Sequence, residues 1–144
     1  MPEFQDTVTI DHPLEKVFAF ACDVRNGQKF MKNVVRCEKL TEGPIGKGTK
    51  FNETRIIGNR EASSIIEISE FTPNQSYSAQ SETKGLCAKY HYQFKEIGST
   101  TQVSFQCDIF TKGLIMKLAK PMFVKIMKKE DGDHLQRLKH ELEQ

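Results

Sequence analysis

The feature that most constrains this chain is a change of hydrophobic period near residue 112. Between residues 33 and 110 apolar side chains recur at about every second position in short runs, and beyond 112 they recur at helical spacing to the end. The runs 33–41, 48–58, 61–72, 75–83, 87–96 and 101–110 read as strands. The breaks between them are turn chemistry: Glu42-Gly43-Pro44, Gly58-Asn59, Thr72-Pro73-Asn74, Lys84-Gly85 and Ile97-Gly98-Ser99-Thr100. Connections this short join antiparallel neighbours, so the pattern predicts a meander.

An earlier run, 3–10, supplies a seventh strand. Asp11-His12-Pro13 ends it, with Asp11 as the expected N-cap and Pro13 in the first turn of a short helix. Leu14, Val17, Phe18 and Ala21 fall at helical spacing, Asn26-Gly27 breaks the pattern, and Gln28–Lys32 forms a second short turn anchored by Phe30 and Met31.

Strand register can be read from parity. In 87–96, Tyr90, Tyr92 and Phe94 share a face; in 101–110, Val103, Phe105, Cys107 and Ile109 do. For both sets to meet one core across a four-residue loop at 97–100, Phe94 must pair with Val103 and Tyr92 with Phe105. Cys87 and Cys107 then face opposite sides, which excludes a disulfide between them.

Past residue 112, Leu114, Ile115, Leu118, Ala119, Met122, Phe123, Ile126 and Met127 cover more than half of a helix circumference, and Leu135, Leu138 and Leu142 form a narrower stripe. Pro121 is expected to kink the helix or mark a new start. Glu130-Asp131-Gly132-Asp133 is its weakest point, where a bend or frayed turn is expected.

The length, 144 residues, corresponds to one domain spanning 1–144. No apolar run approaches the roughly 20 residues of a membrane span, so no stable membrane insertion is expected. The N-terminal stretch lacks the pattern of a secretion signal, which predicts a cytoplasmic home. A net charge of +2 gives no reason to expect a nucleic-acid partner. The four cysteines and four histidines show none of the zinc-ligand spacings, and there is no P-loop, GxGxxG or Ser-His-Asp arrangement.

The order of strand, two short helices, six-stranded meander and long terminal helix resembles the helix-grip arrangement of the SRPBCC superfamily. That superfamily contains the START lipid-transfer domains, the birch-pollen-allergen-like proteins and the bacterial polyketide cyclase/dehydrase group. Ile10-Asp11-His12-Pro13-Leu14-Glu15-Lys16-Val17-Phe18 is similar to the family's opening, and Phe30 stands where many members carry tryptophan. Gly46-Lys47-Gly48-Thr49-Lys50-Phe51 looks like its glycine-rich entry to the third strand. Ile66-Glu67-Ile68-Ser69-Glu70-Phe71-Thr72-Pro73 resembles its strand closed by Phe-x-Pro. The resemblance implies an α+β fold in which a curved seven-stranded antiparallel sheet wraps around a long C-terminal helix. It also implies a cavity between the two that holds a small hydrophobic ligand, lipid-like or aromatic. The family's oxygenase members carry iron on paired histidines and a carboxylate; no such triad is evident here, so neither a metal nor a cofactor is expected.

Within such a cavity, alternation places Phe51, Glu53 and Arg55 on one face of a strand, with Ile66, Tyr77, Tyr90, Tyr92 and Phe105 on neighbouring strands, Phe30 on the second short helix, and Ile115, Met122 and Ile126 on the last helix. These are the candidate ligand-binding residues. Glu53 and Arg55 either lie together inside the cavity or form an ion pair near a sheet edge, where such pairs are common. The opposite parity would turn Asn52, Thr54 and Ile56 inward. The three tyrosines either offer hydroxyls to a ligand or pack as strand aromatics with hydroxyls at the rim. Lys117, Lys120, Lys125, Lys128 and Lys129 read as a solvated helix face, with a lipid headgroup or an acidic partner as the alternative. Three readings of function follow: a small-molecule binding or carrier module, a cyclase/dehydrase-like enzyme in which Arg55 and Tyr92 stabilise an enolate or Glu53 acts as base, and a protein-interaction domain with an exposed apolar arc on the last helix.

Overall fold

A computed structural model describes residues 2–144. The alternating runs form β1 (Phe4–Ile10), β2 (Val34–Lys39), β3 (Lys50–Ile57), β4 (Arg60–Thr72), β5 (Ser76–Thr83), β6 (Leu86–Ile97) and β7 (Thr100–Thr111). They assemble as one antiparallel sheet in the order β1-β7-β6-β5-β4-β3-β2. Every neighbouring pair except β1–β7 is joined directly in sequence, as short turns require. Phe94 pairs with Val103 and Tyr92 with Phe105, the register that parity demands. The connection is tighter than the expected four residues: Ile97 pairs with Thr100, and only Gly98 and Ser99 turn the chain. Gly98 sits at φ +60°, which glycine adopts without a Cβ penalty.

Register shifts in β2 between Val34 and Arg36 and in β4 between Ile68 and Glu70 mark two bulges, which bend and twist a sheet locally. The extra residue in β4 is Ser69, whose buried hydroxyl has no partner among the described residues.

The N-terminal connection contains α1 (Leu14–Cys22), a 3₁₀ turn (Val24–Asn26) and α2 (Gly27–Phe30). Helix α1 starts without the expected Asp11 cap. Pro13 takes the cap position, its carbonyl accepting from the Lys16 and Val17 N–H groups, while the Asp11 N–H donates to Glu143. The apolar face of α1 plugs one end of the concave sheet: Phe18 packs against Phe71, Tyr77 and Phe94 with ring centroids 5.0 to 6.0 Å apart.

The C-terminal helix occupies residues 114–143 and is interrupted at Gly132-Asp133. This divides it into α3 (Leu114–Asp131), which continues unbroken past Pro121, and α4 (His134–Glu143). Gly132 is needed at the break because a Cβ there would lie 2.4 Å from the Lys128 carbonyl oxygen. Helix α4 buries His134, Leu135, Leu138 and Leu142 and packs on β1 and α2. Helix α3 rests more lightly on β7, through a half-buried arc of Met116, Ala119, Phe123 and Met127. The result is the helix-grip α+β fold, with its densest packing around Val17, Phe51, Ile68, Val103 and Leu135.

Candidate functional site

Burial changes systematically along the concave face. On β3, Phe51 is fully enclosed, Glu53 is buried, Arg55 is half-buried and Ile57 is exposed. The same strand face therefore runs from packed core to solvent, and between these limits lies a cavity of about 360 Å³. Small residues of the central strands, Ala79 and Ala88, make room for it, and Ile126 and Met127 close it from the helix side.

Of the candidate ligand-binding residues, Phe30, Glu53, Arg55, Ile66, Tyr77, Tyr90, Tyr92 and Ile126 line this cavity. Four lie outside the lining. Phe51 is enclosed in the core one strand step below Glu53, and Phe105 is buried behind the tyrosines, in ring contact with Tyr90 and Tyr92. Ile115 and Met122 are exposed on the outside of α3, because that helix docks through its Met116–Phe123 arc instead.

The Glu53–Arg55 pair is an interior feature and not a surface bridge. The Arg55 Nε donates to Glu53 Oε1 at 2.7 Å and its Nη1 donates to Asp131 Oδ1 at 2.9 Å, with side-chain exposures of 17% for Arg55, 6% for Glu53 and 5% for Asp131. Nη2 has no hydrogen-bond partner among the described residues. Burial alone would discourage the guanidinium charge, but Asp131 and Glu53 outweigh it and hold Arg55 firmly cationic. A cation enclosed this deeply is tolerated only when paired and hydrogen-bonded, and two carboxylates meet that condition.

Asp131 also accepts from the Tyr90 hydroxyl at 2.5 Å. Its backbone carbonyl lies 2.6 Å from His134 Nδ1. A carbonyl can only accept, so Nδ1 carries the proton, Nε2 is the acceptor, and the Tyr92 hydroxyl, 2.9 Å away, donates to it. Burial holds His134 below its ordinary pKa, against the pull of Asp131, so the ring is neutral. Burial likewise lifts Tyr77, Tyr90 and Tyr92 well above the usual phenol value, and all three remain protonated donors. Tyr77 donates to the Ala21 carbonyl at 3.0 Å. The tyrosine hydroxyls thus go neither to the rim nor freely to the cavity: each is held by an internal partner. Tyr77 stacks on Tyr92 at 4.7 Å, and Phe105 meets His134 edge-on at 4.4 Å.

The break in the C-terminal helix, where a bend or a frayed turn is expected, is an interruption and not a frayed end: it is the most cross-linked part of the site. Besides the Asp131 bonds, Asn33 donates to the Glu130 carboxylate, and Arg137 donates to the carbonyls of Phe30 and Glu130. Asp131 and His134 are the residues that sequence reasoning missed. The signal was present: Asp131, His134, Leu135, Leu138 and Leu142 share one helical stripe, so two polar residues continue an otherwise apolar face.

Cys107 faces inward but is fully buried behind the lining. Burial, then Asp131, push its thiol up to about 12, which leaves no thiolate for chemistry. His91 bonds to Ser78 away from this cavity. Among the described residues no three His, Cys, Asp or Glu side chains converge as metal ligands.

The sequence matches the family model described as polyketide cyclase/dehydrase and lipid transport over residues 1–143. The chain belongs to this family. Among solved structures, the Zhui aromatase/cyclase from Streptomyces sp. R1128 is similar at 14% identity and a TM-score of 0.78, covering 96% of this chain and 92% of that one. A START superfamily protein from Mycobacterium smegmatis matches at 15% identity and 0.73, covering 96% and 95%. The protein titled Ara h 8.0201 matches at 16% and 0.70, covering 98% and 97%. At such identities these likenesses establish a common fold. No curated protein matches the sequence. Membership in the SRPBCC superfamily accounts for the plan of the cavity, while the Glu53–Arg55–Asp131 cluster and the Tyr92–His134 pair are read from this chain's own residues.

Proposed function

We propose that the chain binds a small hydrophobic molecule, lipid-like or aromatic, in the cavity between sheet and helix. The observation that carries this reading is the cavity's combination of apolar walls with one polar end. Its volume lies within the range of small-molecule sites, and such sites pair apolar surface with a few oriented polar groups. Here Ile66, Ala79, Ala88 and Ile126 supply the walls. The unused Nη2 of Arg55 supplies a donor for a carbonyl or hydroxyl oxygen of the ligand, and the rings of Tyr90 and Tyr92 offer a surface for stacking.

Native mass spectrometry of gently purified protein, followed by denaturing release, tests this. The expected result is about one small hydrophobic compound per chain, or uptake from a panel of lipids, flavonoids and polyketide-like aromatics. An empty protein that takes up none of them sinks the proposal.

A second reading, a cyclase/dehydrase-like reaction, is favoured by one observation: a protonated tyrosine donating to a neutral histidine at the cavity wall. In such a pair the Tyr92 oxygen can take a proton from a ligand C–H or O–H while its own hydroxyl proton passes to the unprotonated Nε2 of His134, leaving Tyr92 neutral and His134 protonated. Replacing Tyr92 with Phe separates the readings. A carrier keeps its ligand with at most a modest loss of affinity, whereas an enzyme loses turnover while still binding.

A further inference from the structure

Large apolar residues exposed on this protein concentrate on one helix. Leu114, Ile115 and Leu118 of α3 are 72%, 81% and 73% exposed, and Met122 and Ile126 follow them. At 100° per residue these five span an arc of about 120°. Ile126 also lines the cavity, so the patch is continuous with the cavity's edge. Contiguous apolar patches are uncommon on free protein surfaces and mark a covered face.

Charge identifies the cover. Residues 112–129 contain six lysines (112, 117, 120, 125, 128 and 129) and no Asp or Glu. Lys120 reaches Glu3 at 3.6 Å; the other five have no ion-pair partner among the described residues. Lys84 adds to this edge, since the β5–β6 turn is tied to the start of α3 by the Lys112 N–H bond to the Gly85 carbonyl at 2.8 Å. A protein interface of this size would be expected to carry aromatic and arginine anchors and to be poor in lysine. The exposed arc holds no aromatic residue and no arginine and is bordered by lysine, which suits a surface of acyl chains beneath anionic headgroups.

We propose that α3 docks by its outer face on the surface of an anionic lipid bilayer. The helix lies in the interfacial plane with Leu114, Ile115, Leu118 and Met122 at the headgroup–acyl boundary and Lys117, Lys125, Lys128 and Lys129 at the phosphates. It does not span: no helix of the described residues is long and apolar enough to cross a membrane. The docking stands independently of what the cavity holds.

The test is flotation of the whole protein with vesicles of phosphatidylcholine alone and of phosphatidylcholine containing about a quarter phosphatidylglycerol. Flotation is expected with the anionic vesicles, weakening strongly as salt rises. It should fall about tenfold or more in the double variant Ile115→Asp/Leu118→Asp, whose positions are exposed and whose melting temperature should match the parent. Ile97→Asp, an exposed apolar residue on the far β6–β7 turn, should float as the parent does. Absence of flotation would overturn the proposal, as would equal flotation on neutral vesicles or flotation that survives the double substitution. Light scattering at the same concentrations supplies one more contrary outcome: a dimer that the double substitution dissociates would assign the face to a second copy of the chain.

Discussion

Helices α3 and α4 are neighbours in sequence and both carry stripes of large apolar residues, yet Leu138 in α4 is 1% exposed and Leu118 in α3 is 73% exposed. The difference lies in what each half meets. Helix α4 lies against β1 and α2, and its stripe completes the packed end of the sheet, where Val103 and Phe105 already fill the concave face. Helix α3 rises away over the part of the sheet where Ala79 and Ala88 leave space, so its docked arc is only half-buried and its outer arc meets solvent. At the junction, Arg55, Tyr90 and Tyr92 reach from the sheet to Asp131 and His134 and fix the point where packing gives way to cavity. The two segments of the C-terminal helix thus do different jobs, with the ionic cluster at the break between them as the boundary.

Substitutions can break this contrast. The largest effect is expected from Arg55→Leu, which leaves Glu53 and Asp131 facing each other with no cation between them. Loss of one partner from a buried charge cluster costs about 3–5 kcal/mol, readable as a lowered urea midpoint. Next comes the same change made in each half. Leu138→Ala should cost about 2–5 kcal/mol, while Leu118→Ala should stay within about 0.5 kcal/mol of the parent. Equal costs would mean that α3 is packed as tightly as α4.

A smaller effect concerns pH. Burial holds His134 below its ordinary value of 6.5 in the folded protein, so the unfolded chain binds the proton first as pH falls. Its contribution to stability is therefore fully present above pH 6.5 and declines as pH drops from there towards the folded value. Melting temperature followed from pH 7.5 downward should fall in the parent, and His134→Gln should flatten that part of the profile. The smallest effect is dynamic: amides of α3 before Ile126 should exchange with solvent faster than those of α4, as sparse packing implies.

The sheet was legible in the sequence because alternation and turn chemistry are local signals. The Phe94–Val103 register followed from parity together with the position of the turn. Eight of the twelve candidate residues lie along the cavity, since β3 and β6 show which residues share a face. The helix was harder. An apolar stripe does not say whether it meets a sheet, a cavity or solvent, so Ile115 and Met122 were placed opposite the strands although α3 docks through the adjacent arc. Asp131 and His134 were hidden for a different reason: in Glu130-Asp131-Gly132-Asp133-His134 the glycine and the charges signal a solvated break. Only the approach of Arg55 and Tyr92 from distant strands turns that break into the floor of a site.

The claim at the centre of this account is that the space between sheet and α3, and not the outer face of the helix, holds the ligand. Native mass spectrometry of the parent, of Ala79→Trp and of Ile115→Asp tests it most directly, because Ala79 lines the cavity and Ile115 lies outside it. The account predicts that the bound compound is lost from Ala79→Trp and kept by Ile115→Asp. Retention by a folded Ala79→Trp protein, or loss from Ile115→Asp alone, would contradict it.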